Sequence, residues 1–376
     1  MAERSVASMN RFGWNRILTL YLFRHTLIHI LLAGLVLIFI VNLIDMAELL
    51  RRSANKESIS SLTALIMGLL RIPSSVPFIL PFAVMFGALI SFYKLNQQNE
   101  IIIARSSGLS MLQIITGPMI SGILLSMIML VVVDPISSAT NSRFMVMEEQ
   151  NFGSTGRNLT VSTEGIWLKD RSEYQNLIIS GTRLDQAELS IEQGEVYTFD
   201  KDNTWTSHYL PETLIFDNGN WHLEGGRVLR QDGTIASLNA LTLPSVLTRT
   251  DLTSSNKKPE TIPIYRLWNY ITVLDQAGLS SLGHRSYLYY QASMPLVLIG
   301  MTLIAGYFGL VYRGRRKRIR LIAFAIFSAL GFYFFKDIMY VLGSSGRLPP
   351  VIAGIAPGFI VTMIGLATLL RSDQTA

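Results

Sequence analysis

Apolar positions recur in runs far longer than a soluble core needs. Crossing a bilayer as a helix takes about 20 mostly apolar residues, and the chain offers six such stretches. Leu27 to Leu43 is the first. Leu62 to Phe92 is longer than a span requires and carries Arg71, Pro73, Pro77 and Pro81. It is expected to bend, with its second half embedded and its first half oblique near the surface. Leu109 to Val133 is the third and is expected to end at Asp134-Pro135. Leu288 to Val311, Leu321 to Leu342 and Val351 to Leu370 complete the set. A polar and basic segment precedes the first run, its core is long, and no clean small-x-small cleavage site follows. It reads as an uncleaved anchor.

Between the third and fourth runs the period changes from helical to alternating. "NLTVSTEGIWLKD", "YQNLIISGTRL", "LSIEQGEVYTFD" and "ETLIFDNGNWHLEGG" read as short strands separated by turns. Asn218-Gly219 between two such strands is a strong hairpin signal. No helix-period run interrupts the segment, which predicts an all-β sandwich or jelly roll. "TSSNKKPETIP" reads as a linker. In "YRLWNYITVLDQAG", Leu267, Ile271 and Leu274 fall on one helical face, with Gly278 as the stop. Trp268 and Tyr270 suit a helix lying in a membrane interface. The fold class is therefore an α-helical membrane protein with six transmembrane helices and an inserted all-β, jellyroll-like domain. Three parts follow: residues 1–133 as an N-terminal transmembrane half, 134–262 as the β domain with its linkers, and 263–376 as a juxtamembrane helix with the C-terminal transmembrane half.

Composition strengthens the membrane reading. Of 376 residues, 49% are hydrophobic and 15% charged, where a soluble domain averages about 25% charged. With no cysteine there is no disulfide framework, no thiolate metal site and no Cys nucleophile. The net charge of +6 is less informative than its placement. Arg313, Arg315, Arg316, Lys317, Arg318 and Arg320 crowd one short link between apolar runs, a topology signal rather than a nucleic-acid site. Arg4, Arg11, Arg16, Arg24, Lys94, Arg105 and Arg371 lie on the same predicted side, while acidic residues outnumber basic ones between Asp134 and Ser286. The positive-inside rule puts both termini in the cytoplasm and the β domain outside.

No active site is legible. The chain lacks a Gly-x-x-x-x-Gly-Lys-Ser/Thr phosphate loop. His25 and His29 have the i, i+4 spacing of a zinc pair but no third ligand, and read as interfacial histidines. Asp200 and Asp202 read as a polar hairpin turn, not a calcium loop. Charges at membrane depth are more telling, because they are rare unless they serve something. Asp45, Glu48, Arg51 and Arg52 follow the first run, Arg71 precedes the bend of the second, and Lys336 and Asp337 lie in the fifth. Lys336 and Asp337, being adjacent, are expected to find separate partners or water. The structural alternative for this set is an ion pair with Asp45 or with another span. The functional one is a cavity that offers basic groups to an anionic ligand such as a phosphate.

The remaining signal is "NEIIIARSSGLS", a short helix at about residues 99–108 between the second and third runs. Glu100 suits its first turn and Gly108 its stop. Too short to span, it would lie on the cytoplasmic face with Glu100, Ile103 and Ala104 on one side, where a cytoplasmic ATPase could push.

"PFILPFAVMFGALISFYKLNQQNEIIIARSSGLS", "EGIWLKD", "LWNYITVLDQAG…YLYYQASMPL" and "GRLPPVIAGIAPGFI" together resemble the lipopolysaccharide-export permeases of the LptF/LptG family, over nearly the whole chain. "GIWLKD" and the proline-rich last link look more like the LptG branch. The resemblance implies a transport subunit without its own catalytic centre, in the inner membrane. Its implied partners are a second, LptF-like permease as heterodimer, a cytoplasmic ABC ATPase dimer that uses ATP with Mg, and a single-span periplasmic LptC-like protein. The implied cargo is lipopolysaccharide, taken from the outer leaflet and passed through the β domains. The family's coupling helix maps onto Asn99 to Gly108, giving Glu100, Ile103, Ala104, Arg105 and Gly108 as ATPase-contact candidates. Arg51, Arg52, Arg71, Asp45, Lys336 and Asp337 are the lipid-phosphate or cavity candidates. Where the LptG branch often has a lysine three residues before the aspartate, this chain has Asn42. Rival readings are a mechanotransmitting ABC permease acting on a periplasmic partner, a membrane-anchored enzyme with its site in the β domain, and a channel or secondary transporter.

Overall fold

The computed structural model describes residues 2–54, 60–152, 159–162, 165–171, 176–185, 188–200, 204–245, 247, 252, 258–311 and 318–374. The basic residues from Arg313 to Lys317, and Asp202, lie outside the described residues. The chain folds as two compact units: residues 1–151 with 286–376, and residues 152–285.

The first unit is helical. Its elements are α1 (Ala2–Ala54), α2 (Ser61–Gln97), the short α3 (Glu100–Ser106), α4 (Met111–Ile128) and α5 (Asp134–Phe152). Later come the end of α7 (Leu282–Ala292), α8 (Met294–Val311), α9 (Arg318–Ser344) and α10 (Pro350–Gln374). Five helices among the described residues are long and apolar enough to cross a membrane: Arg16–Ser53, Leu62–Gln97, Met111–Glu148, Ala323–Ser344 and Pro350–Arg371. The stretch expected as a fourth span is instead a pair, Leu282–Ala292 and Met294–Leu310, bent by 52° at its break. Pro295 explains the break, since it removes one backbone donor and its ring strikes the carbonyl one turn back. The Ser293 amide there is shared by the carbonyls of Tyr289 and Tyr290.

The third apolar run does not stop at Asp134-Pro135. A π-helical turn, Met129–Val133, carries it straight into α5. The wider turn lets the Asp134 amide reach the Met129 carbonyl and relieves the crowding that Pro135 would impose on a regular helix. α2 likewise runs on through Pro73, Pro77 and Pro81.

Burial in this unit has two sides. Phe92, Leu95, Ile114, Ile115, Leu298 and Met301 form a closed interior. Leu35, Phe39 and Ile44 on α1, and Phe327, Phe334 and Val341 on α9, are left outside it. Such an apolar exterior is costly against water but neutral against hydrocarbon.

The second unit carries two antiparallel sheets. The first, of seven strands, runs β1 (Leu159–Ser162), β2 (Gly165–Arg171), β3 (Asn176–Gly181), β6 (Glu195–Phe199), β7 (Trp205–Leu210), β10 (Arg227–Arg230), β11 (Ile235–Ser237). The second, of five, runs β12 (Ala240–Pro244), β9 (Asn220–Glu224), β8 (Thr213–Asp217), β5 (Ser190–Glu192), β4 (Arg183–Asp185). Alternate residues point inward, so Leu177, Ile179, Val196, Leu214, Trp221 and Leu223 meet in one core. The β8–β9 hairpin turns at Asn218-Gly219, both at positive φ (48° and 77°), with Asp217 opposite Asn220. Inside the core, the Trp221 indole donates to the fully buried Asp170 carboxylate at 3.2 Å, joining strands of the two sheets. α6 (Ile264–Gln276) buries Leu267, Ile271 and Leu274, the face that its periodicity predicts. Tyr270 also packs on this core; the exposed aromatic residues of α6 are Tyr265 and Trp268.

Candidate functional site

The short helix α3 is built by its ends. Asn99 enters it in the left-handed region (φ 62°) only two residues after α2 stops. Gly108 leaves it at φ 86°. Its amide bonds the Arg105 carbonyl, and the Leu109 amide bonds that of Ala104, which is the hydrogen-bond pattern of a Schellman stop. Between these ends Ile101 is buried and Ala104 packs against the helical core. Ala104 therefore does not share an outward side with Ile103: the exposed apolar pair is Ile102 (37%) and Ile103 (65%). Arg105 is half-buried, and Glu100 accepts a hydrogen bond from the Tyr21 hydroxyl of α1 at 3.1 Å.

At the far end of α1 the candidate cations meet carboxylates. Arg51 makes a two-pronged contact with Glu48 at 2.9 and 3.0 Å, one helical turn away and exposed. Arg52 reaches Glu148 of α5 at 3.1 Å. Arg71 of α2 lies 3.7 Å from Asp45 of α1, with its guanidinium 5.6 Å from the Phe144 ring. Exposed pairs such as the first contribute little stability, because solvent screens them. All three arginines thus face a carboxylate. Asn42 donates to the Ile38 carbonyl at 2.8 Å, and its buried Oδ1 has no hydrogen-bond partner among the described residues.

The fifth apolar run shows a different arrangement. Lys336 Nζ lies 3.0 Å from Asp337 Oδ1, so the two adjacent residues pair with each other rather than seeking separate partners. The lysine stem is long and flexible enough to fold back along the helix, which the face argument overlooks. The ammonium also sits over the rings of Tyr333 (5.0 Å) and Tyr290 (5.5 Å). Tyr333 in turn hydrogen-bonds Asp337.

Local spacing could have found Tyr333, one turn before Lys336 and Asp337. Tyr21, Phe144, Glu148 and Tyr290 carried no such signal, since only packing brings them to their partners. The His25 and His29 rings lie with centroids 4.4 Å apart and planes tilted by 40°; His25 Nδ1 sits 2.8 Å from Ser91 Oγ, and His29 Nδ1 meets the His25 carbonyl at 2.7 Å. Among the described residues no group of three or more His, Asp or Glu side chains is placed to hold a metal. On the seven-stranded sheet, Tyr197 stacks on His208 at 4.1 Å and donates to Glu195 at 2.7 Å. Burial first, and then that carboxylate, push its phenol up to about 12.

Apolar helices with a lipid-compatible exterior, paired charges, a short connecting helix and an all-β unit together fit a multi-span membrane protein. The model for the lipopolysaccharide export system permeases LptF/LptG matches residues 20–371, and the chain belongs to that family. No curated protein matches the chain individually. Membership makes it an inner-membrane permease of ABC-type lipopolysaccharide export, a transport subunit rather than an enzyme. The family works with an ABC ATPase and a partner permease.

Proposed function

We propose that this chain is the LptG-like half of a permease heterodimer, with α3 as the helix that receives its ATPase. The observation that carries the ATPase contact is the exposure of Ile102 and Ile103 beside Glu100, on a helix too short to cross anything. Glu100 and Ile103 touch the cytoplasmic ATPase dimer, Ala104 anchors the helix from within, Arg105 contributes from its half-buried position, and Gly108 sets the exit. ATP and Mg belong to that partner. Both termini face the cytoplasm, and the β unit is a periplasmic jellyroll that receives the lipid and hands it to a single-span LptC-like protein.

Arg51, Arg52 and Arg71 are the phosphate contacts. Each gives up or shares its carboxylate (Glu48, Glu148, Asp45) when the lipid enters, a charge-for-charge exchange that keeps the arginines compensated while the site is empty. Lys336 and Asp337, held by two tyrosines, line the same cavity. Glu100→Ala tests the ATPase contact. It should cut recovery of the ATPase with the detergent-purified chain about tenfold, the scale of one charged hydrogen bond. Wild-type recovery would remove Glu100 from the interface.

A further inference from the structure

Tyr21 is where α1 touches α3. Its hydroxyl donates to Glu100 Oε1 at 3.1 Å, a bond strengthened by the carboxylate's charge. One turn along α1, the His25 ring lies 5.9 Å from that of Tyr21, and His25 Nδ1 is 2.8 Å from Ser91 Oγ of α2. The buried Thr26 hydroxyl shares the same serine at 2.9 Å. α1 is therefore tied to α2 at Ser91 and to α3 at Glu100. The chain passes from α2 to α3 through Gln98 and the left-handed Asn99, and the two helices also touch directly.

The two helices differ as mechanical links. α1 contains no proline, whereas α2 contains three, and prolines are the commonest cause of helix kinks. From Tyr21, α1 runs about 36 Å to Asp45 at about 1.5 Å per residue, arriving at the pairs Asp45–Arg71 and Arg52–Glu148.

We propose that Tyr21 is a positioning residue for Glu100: it fixes the carboxylate and ties α3 to α1, so that displacement of α3 passes into α1 rather than being absorbed at the Gln98-Asn99 turn. The proposal rests on the reading of α3 as the ATPase contact.

The test uses the full chain in nanodiscs together with its partner permease, with and without the cytoplasmic ABC ATPase of its own host. Tyr21→Phe keeps the ring and removes only the donor. Amide hydrogen exchange across Glu100–Ser106 should rise about tenfold, with exchange in residues 152–285 unchanged, since the loss is local. ATP hydrolysis by the complex should fall severalfold. Glu100→Gln, which still offers Tyr21 an acceptor, should keep exchange within about twofold of wild type. Wild-type exchange in Tyr21→Phe overturns the role of Tyr21, as does faster exchange with wild-type hydrolysis. In either case reduced ATPase recovery in Glu100→Ala leaves the ATPase contact standing. Wild-type recovery in Glu100→Ala overturns the contact itself, and the proposal with it.

Discussion

α3 and α6 end in the same way and are held in opposite ways. Each stops at a glycine with positive φ, 86° at Gly108 and 74° at Gly278. In each, the glycine amide bonds the carbonyl three residues back and the following leucine amide bonds the carbonyl five back. Beyond that the resemblance ceases. α6 buries Leu267, Ile271 and Leu274 against the β core. A Cβ on Gly278 would lie 2.2 Å from the Leu184 carbonyl oxygen, while nothing stands within 4 Å of one on Gly108. α3 has Ile101 as its buried residue and points Ile102 and Ile103 outward. A helix with its partner in the same chain is locked by packing at every turn. α3 keeps the same stop signal and leaves Ile102 and Ile103 open, which is what the proposed ATPase contact requires.

The comparison breaks most visibly at Leu274, which is fully buried. Leu274→Ala should cost the β unit about 2–5 kcal/mol, the range for deleting a buried leucine side chain. Hydrogen exchange in residues 152–285 should accelerate while exchange in α3 stays as it was. Loss confined to α6 itself, with the sheets unaffected, would show that the helix decorates the core rather than completing it.

What the sequence made legible follows the same division. Leu267, Ile271, Leu274 and Gly278 could be read directly, because a helix that packs within its own unit must show its 3.6-residue period and its stop. Asn218-Gly219 was legible because few other residues tolerate that turn. The helix through Pro135 was not, since a single π-helical turn upstream cancels a strong breaking signal. An ion pair with Asp45 was anticipated, and Arg71 supplies it; the pairings Arg52–Glu148 and Tyr21–Glu100 were not, because they depend on how separate helices lie together and leave no local spacing to read. Lys336 and Asp337 were misread for the opposite reason: the spacing rule was applied to backbone direction, and a long side chain overrode it.

Gly278→Ala comes next in size. The left-handed conformation costs an ordinary residue roughly 1–2 kcal/mol, and the overlap with the Leu184 oxygen must also be relieved. That relief disturbs the hydrogen bond from the Leu184 amide to the Ala277 carbonyl, now 3.1 Å long. A loss of about 2–4 kcal/mol in the β unit is expected, measured by denaturant titration of the Trp221 environment.

Gly108→Ala is the matched control and should be the mildest of the three. The same conformational cost of roughly 1–2 kcal/mol applies, but no atom has to move, because the space around Gly108 is empty. The cost also falls on a seven-residue helix instead of a folded core, so it should appear as fraying of α3 at its exit, with global stability unchanged. Faster exchange at Arg105 to Leu109 alone would fit a helix held at its two ends and by Ile101 between them. A loss in Gly108→Ala as large as in Gly278→Ala would mean that something outside this chain already presses on the exit of α3. That result would place the partner's surface at Gly108 as well as at Ile102 and Ile103.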